Sequence, residues 1–134
     1  MRFLADTNVL ISAALFPSGK VSKVLSYVLE THDLVLCSFS IEEAQVVFDR
    51  KFPEKKDELD RFLGRIEFTL FQTPSTLDPN AFPAIRDVKD IPILASAILS
   101  GVDILLTGDK DFQDIDLEKP LIFTPSEYLS LIEK

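Results

Sequence analysis

Apolar positions along the chain fall into runs of two kinds, short continuous stretches and stretches at helical spacing. Residues 2–5 form a short apolar strand, and Asn8 is placed to cap a helix over 9–16 that Pro17-Ser18-Gly19 stops. Val21, Val24, Leu25, Val28 and Leu29 keep the helical period and predict a second helix over 21–30. Leu34-Val35-Leu36-Cys37 is the second strand. Residues 38–40 lead into a third helix ending near Lys51 and Phe52. Pro53 is placed to start a fourth, with Leu59, Phe62, Leu63 and Ile66 on one face. Residues 67–71 fit either a third strand or the tail of that helix. The segment 72–83 holds Pro74, Pro79 and Pro83 without a helical period, and reads as a loop.

The second half repeats the rhythm. Asp90 opens a helix with Ile91, Leu94, Ala95, Ile98 and Leu99 on its apolar face, and Gly101 ends it. Residues 103–107 are a strand, followed by Gly108-Asp109-Lys110-Asp111-Phe112, and 121–123 are a last short strand. Thr124-Pro125-Ser126-Glu127 is a capping box with proline at the first helical position, so 128–132 is a closing helix. Strands alternating with helices predict an α/β protein with a mostly parallel sheet covered on both faces.

Composition narrows this further. At 134 residues with 46% hydrophobic positions, the chain reads as a single domain over 1–134 with a full core, and bulk disorder is excluded. A single cysteine makes neither an internal disulfide nor a Cys-rich zinc site, which points to a reducing compartment. Asp6 and Asn8 interrupt the N-terminal apolar stretch, and no apolar run approaches the roughly 20 residues of a membrane span. The expectation is a cytoplasmic protein without a membrane partner. Acids outnumber Lys plus Arg by 22 to 14, for a net charge of −8, whereas a simple electrostatic nucleic-acid binder is basic. If nucleic acid is the substrate, positive charge must come from elsewhere, and a divalent metal is the obvious source.

The acids fall where a parallel sheet collects ligands, at the carboxyl ends of its strands. Asp6 follows the first strand, and Asp109 and Asp111 follow the fourth. Asp90 opens the helix before the fourth strand, and Glu43 sits one turn into the helix after the second. Two like charges about 4 Å apart repel by roughly 4 kcal/mol at an effective dielectric of 20, so a cluster without a nearby base suits hard cations. Oxygen-only ligands favour Mg²⁺ or Mn²⁺. Such ions activate a water and stabilise a leaving oxygen in phosphodiester hydrolysis.

Each acid also has a local structural role open to it. Asp6 and Asp90 are able to cap helices, although Asn8 already serves the first. Ser40 and Glu43 form a capping box, and Asp109 and Asp111 sit in a loop where Asp is common. Asp87, Asp114, Asp116 and Glu118 read as solvated surface charge. The weight lies in the joint placement. Six of the 14 basic residues, Arg50, Lys51, Lys55, Lys56, Arg61 and Arg65, cluster around the junction of the third and fourth helices. Interleaved acids make this foremost a solvated face, and a phosphate-tracking RNA-binding arm is the alternative.

The opening Phe3-Leu4-Ala5-Asp6-Thr7-Asn8-Val9-Leu10-Ile11-Ser12 resembles the start of a PIN domain. Asp103-Ile104-Leu105-Leu106-Thr107-Gly108-Asp109-Lys110-Asp111-Phe112 is similar to that family's fourth-strand motif. The stretches 38–52 and 87–97 are similar to the segments supplying its glutamate, at Glu43, and its third acid, at Asp90. The resemblance implies a three-layer fold with a five-stranded parallel sheet in order 3-2-1-4-5. It also implies Mg²⁺- or Mn²⁺-dependent endoribonuclease activity, a homodimer and the toxin branch of toxin–antitoxin pairs, hence an antitoxin partner. On this reading Asp6, Glu43, Asp90 and Asp109 hold one or two metals and Asp111 assists, while Asn8 and Thr107 orient carboxylates. Glu42 beside Glu43 leaves the choice between them open. The non-enzymatic alternative is a degenerate PIN-like domain used for binding or assembly.

Overall fold

The computed structural model describes residues 1–133 and shows a five-stranded, wholly parallel sheet in order β3-β2-β1-β4-β5. The strands are β1 (Arg2–Ala5), β2 (Asp33–Cys37), β3 (Thr69–Phe71), β4 (Ile104–Leu106) and β5 (Leu121–Phe123). The helices are α1 (Thr7–Leu15), α2 (Lys20–Thr31), α3 (Ser38–Lys51), α4 (Lys56–Arg65), α5 (Ile91–Leu99) and α6 (Pro125–Ile132).

Side chains of the central strands alternate between two cores, as the period of two requires. Phe3, Ala5, Leu34, Leu36, Ile104 and Leu106 face one core, shared with α1, α2, α3, α4 and α6. Leu4, Val35, Cys37 and Leu105 face the other, shared with α5 and with Phe112 from the loop after β4. Both faces are thereby covered, and residues 3–5, 34–37 and 104–106 read as continuous apolar runs because water reaches neither side, with Arg2 and Asp33 at the open starts of β1 and β2. Among the described residues no single helix is long and apolar enough to cross a membrane.

Several local expectations hold. Thr124 and Glu127 form the capping box of α6 with Pro125 in its first turn. Gly101 takes a left-handed φ of 69° just beyond α5, a conformation that suits a residue without Cβ. Of residues 67–71, Thr69–Phe71 form a strand, with Thr69, Leu70 and Phe71 paired to Val35, Leu36 and Cys37. Two of those three residues are exposed on the sheet edge, so neither face leaves a pattern in the sequence.

Three expectations are corrected. Asp6, not Asn8, caps α1: the helix starts at Thr7, whose N–H donates to Asp6 Oδ1 at 2.6 Å, while Asn8 is exposed. Ser40 does not open a capping box. The third helix starts at Ser38, so Ser40 lies inside its first turn, fully buried, with Oγ 3.2 Å from Cys37 Sγ. Pro53 starts a single 3₁₀ turn, Pro53–Lys55, and α4 follows at Lys56.

Candidate metal centre

The carboxyl ends of β1 and β4 lie side by side, since Ala5 pairs with Leu106. The residues just beyond them meet there. Asp6 is buried at 3% exposure, and its Oδ2 accepts from Thr107 Oγ1 at 2.6 Å. Thr107 Oγ1 in turn accepts from Asp109 N at 3.1 Å, and Asp109 Oδ1 accepts from Asp111 N at 2.9 Å. One hydrogen-bonded series therefore runs from β1 across the start of the β4 loop. Asp109 serves as cap of the Lys110–Phe112 turn, which aims Asp111 back toward the cleft.

The facing wall is the turn before α5. Asp87 caps the Val88–Asp90 turn through Lys89 N at 3.0 Å. Asp90 occupies the N-cap position of α5, but its side chain makes no capping bond, and its Oδ2 is buried without a partner. Asp87, Asp90 and Asp111 each present a carboxylate oxygen, and these three oxygens lie within 4.8 Å of one another. Three such anions repel pairwise by on the order of 3 kcal/mol at an effective dielectric of 20.

Proton affinities follow from this crowding. Burial, then the carboxylates of Asp109, Asp87 and Asp6, push Asp90 up to about 7. Burial also raises Asp6, opposed by the bonds from Thr107 and Thr7 and reinforced by the charges of Asp109 and Glu43. Glu43 is thus close enough to act on Asp6, and it is half-buried on α3. Glu42 is exposed and lines a neighbouring hollow.

An open cleft of about 880 Å³ is lined by Asn8, Arg86, Asp87, Gly108, Asp109, Lys110 and Asp111. Asn8 reaches this cleft but makes no hydrogen bond to a carboxylate among the described residues, whereas Thr107 does. Arg86 lies 3.7 Å from Asp111 Oδ1 and is 84% exposed, a weak surface pair. Arg50, Lys51, Lys55 and Lys56 are exposed and none lines the cleft; Lys56 pairs with Asp49 at 3.2 Å. Arg50 and Lys51 lie seven and eight residues beyond Glu43 on α3, roughly 10–12 Å along its axis.

Sequence reasoning placed Asp87 among solvated surface charges, and the structure brings its carboxylate within 4.8 Å of those of Asp90 and Asp111. The signal was present in Asp87-Val88-Lys89-Asp90: acids three apart share one side of a helical turn. Exposure of Asp87 is compatible with the solvated-charge reading, but its neighbours are two further carboxylates rather than water alone.

A parallel α/β sheet with carboxylates gathered beyond its first and fourth strands defines a protein with an acidic, cation-attracting centre. The chain belongs to the PIN domain family, whose model matches residues 2–111. Its fold is similar to that of VapBC2 from Rickettsia felis, solved in a crystal bound to a DNA fragment from their promoter. The TM-score is 0.69 at 19% identity, over 92% of this chain and 98% of that chain. No curated protein matches the sequence.

Proposed function

We propose that this PIN domain is a ribonuclease that hydrolyses RNA phosphodiester bonds with Mg²⁺ or Mn²⁺, one or two ions, and acts as the toxin of a toxin–antitoxin pair. The observation that carries the reading is the Asp90 carboxylate, with a buried oxygen that no protein group satisfies, set beside Asp87 and Asp111. Buried carboxylate oxygens without donors suit a hard cation, and the donor set is oxygen throughout. Asp6, Glu43, Asp90 and Asp109 are the residues we assign to the metal, with Asp111 joining them and Asp87 added to the set. When bound, the metal would supply a Lewis acid that activates water and stabilises charge on the leaving oxygen.

The chain's own groups prepare that chemistry. Thr107 holds Asp6 Oδ2 and the Asp109 backbone at fixed places through one hydroxyl. Each Asp6 oxygen accepts one bond and keeps a further lone pair for a ligand. Burial of Asp6 excludes water from one side of the centre and strengthens its electrostatics. Arg86 and Lys110 on the rim offer cations to an approaching phosphate, which lessens the objection raised by a net charge of −8.

The partners follow the same reading: a single-stranded RNA substrate, a second copy in a homodimer, and an antitoxin protein. The structural neighbour is itself a VapBC complex bound to promoter DNA, which supports the antitoxin. Calorimetric titration of Mn²⁺ into the wild type and Asp6→Asn, with cleavage of a mixed RNA pool in the same buffer, tests the proposal. Binding and cleavage in the wild type, both lost in the variant, are expected. A wild type that takes up no Mn²⁺ overturns the nuclease reading and leaves a degenerate PIN domain that works by binding.

A further inference from the structure

A second hollow adjoins the acidic cleft. It encloses about 550 Å³ between the first turns of α3, the loop leaving β3 and the turn before α5, and Phe39, Glu42, Thr73, Pro74, Val88 and Pro92 line it. Its walls are fixed in place. Thr73 N donates to Ser38 Oγ at 2.9 Å, and Thr73 Oγ1 accepts from Phe39 N at 3.2 Å. The same hydroxyl lies 2.9 Å from Oγ of the fully buried Ser96. The loop is thereby fastened to both α3 and α5, and the hollow exists before any ligand arrives.

Hollow and cleft share one segment. Val88 lines the hollow, and Asp87 and Asp90 on either side of it belong to the carboxylate group. Val88 is 69% exposed although apolar, a placement that gives the fold no burial energy.

We propose that this hollow receives one unstacked nucleobase of a single-stranded RNA whose backbone crosses the acidic cleft, and that Glu42 selects guanine there. The inference rests on the ribonuclease reading above. The volume lies within the range of small-ligand sites and admits a nucleoside. Phe39, which also packs against the core beneath, the two prolines and Val88 offer apolar surface to the faces of a base, the usual way unstacked bases are held. Glu42 decides against a phosphate as occupant, because a second anion beside it is repelled.

Donor geometry then separates the bases. A carboxylate accepts hydrogen bonds and donates none. Guanine presents N1–H and the N2 amino group side by side, so both carboxylate oxygens are matched. Adenine and cytosine each offer one amino group next to a ring acceptor, which the second oxygen repels. Uracil sets its single N3–H between two carbonyls.

The test is fluorescence anisotropy of labelled hexauridine beside the same oligomer carrying one guanine or one adenine. Ca²⁺ serves as the divalent ion so that binding is read without turnover. The guanine oligomer should bind about tenfold more tightly than hexauridine, and Glu42→Gln should reduce that preference below about threefold. Phe39→Ala should weaken all three oligomers alike; thermal melts show whether that variant is folded, and Glu42 is exposed, so its variant gives the decisive reading. Equal affinity for the three oligomers overturns the inference, as does a guanine preference that survives Glu42→Gln. Guanine preference without Mn²⁺-dependent cleavage overturns the nuclease reading and leaves the base site standing. Cleavage without base preference does the reverse. No RNA binding sinks both.

Discussion

The two walls of the acidic cleft are built on opposite plans. In the wall at the ends of β1 and β4 the carboxylates are satisfied, although Thr7 Oγ1 beside them is buried without a partner: Asp6 accepts from Thr7 N and Thr107 Oγ1, and Asp109 accepts from Asp111 N. It grows directly out of β1 and β4, whose residues 3–5 and 104–106 are buried. The wall before α5 is a short turn with no strand beneath it, and Asp90 there has a buried oxygen with no donor. Position is enforced on one side and charge is left unanswered on the other. A pair of walls so arranged fixes carboxylates on one side and leaves a buried carboxylate oxygen without a donor on the other.

Breaking the satisfied wall at its root has the largest effect. Asp6→Asn should lower Mn²⁺-dependent RNA cleavage by at least about a hundredfold, measured as single-turnover rates on one oligomer. A variant that keeps most of its rate removes Asp6 from the reaction. Next comes the hydroxyl that ties Asp6 to Asp109. Thr107→Val leaves every carboxylate in place yet removes their common tether, and metal affinity should fall about 10- to 100-fold by calorimetry. The same change strands a buried Asp6 oxygen and should cost about 1–3 kcal/mol in urea unfolding.

The unsatisfied wall answers to pH. Asp90 stands near 7 in the fold against about 3.9 in an unfolded chain, so the folded state holds the extra proton between those values. Its contribution to stability is therefore full below about pH 4 and is lost as pH rises toward 7 and beyond. Asp90→Asn removes that loss. Without metal, the variant should melt above the wild type by a few degrees at pH 8, and by less at pH 5. Solvent screening of this half-buried group holds the gain to on the order of 1 kcal/mol. An equal difference at both pH values sinks the assignment. The smallest effect belongs outside both walls: Arg50→Ala with Lys51→Ala should change cleavage by less than about threefold at 0.15 M salt, since neither residue reaches the cleft.

The sequence showed most of the sheet and about half of this contrast. Buried strands such as Leu34-Val35-Leu36-Cys37 and the Thr124 capping box are local patterns, and local patterns survive translation into sequence. The placement of Asp6, Asp109 and Asp111 beyond β1 and β4 was legible because strand ends mark it. The cap of α1 was misread because Asp6 and Asn8 are both good caps two residues apart, and only the packing of β1 decides where the turn begins. Ser40 was misread for a related reason. A serine three residues before a glutamate fits a cap, but this one is swallowed by the helix that Ser38 starts. The nearness of Asp87 to Asp111 escaped because the two are 24 residues apart, and no local period reports such a distance.

The bond between Asp6 and Thr107 joins residues 101 positions apart. Its consequence belongs to the birth of the protein. During synthesis the first strand and its aspartate emerge well before β4, yet Asp6 has no tether until β4 and the loop after it have left the ribosome and paired. Contacts of such long sequence separation form late. A nascent or prematurely ended chain that stops short of β4 therefore holds Asp6 and the turn before α5 but lacks Thr107, Asp109 and Asp111, and whatever the centre does is withheld until β4 and the loop after it have been made.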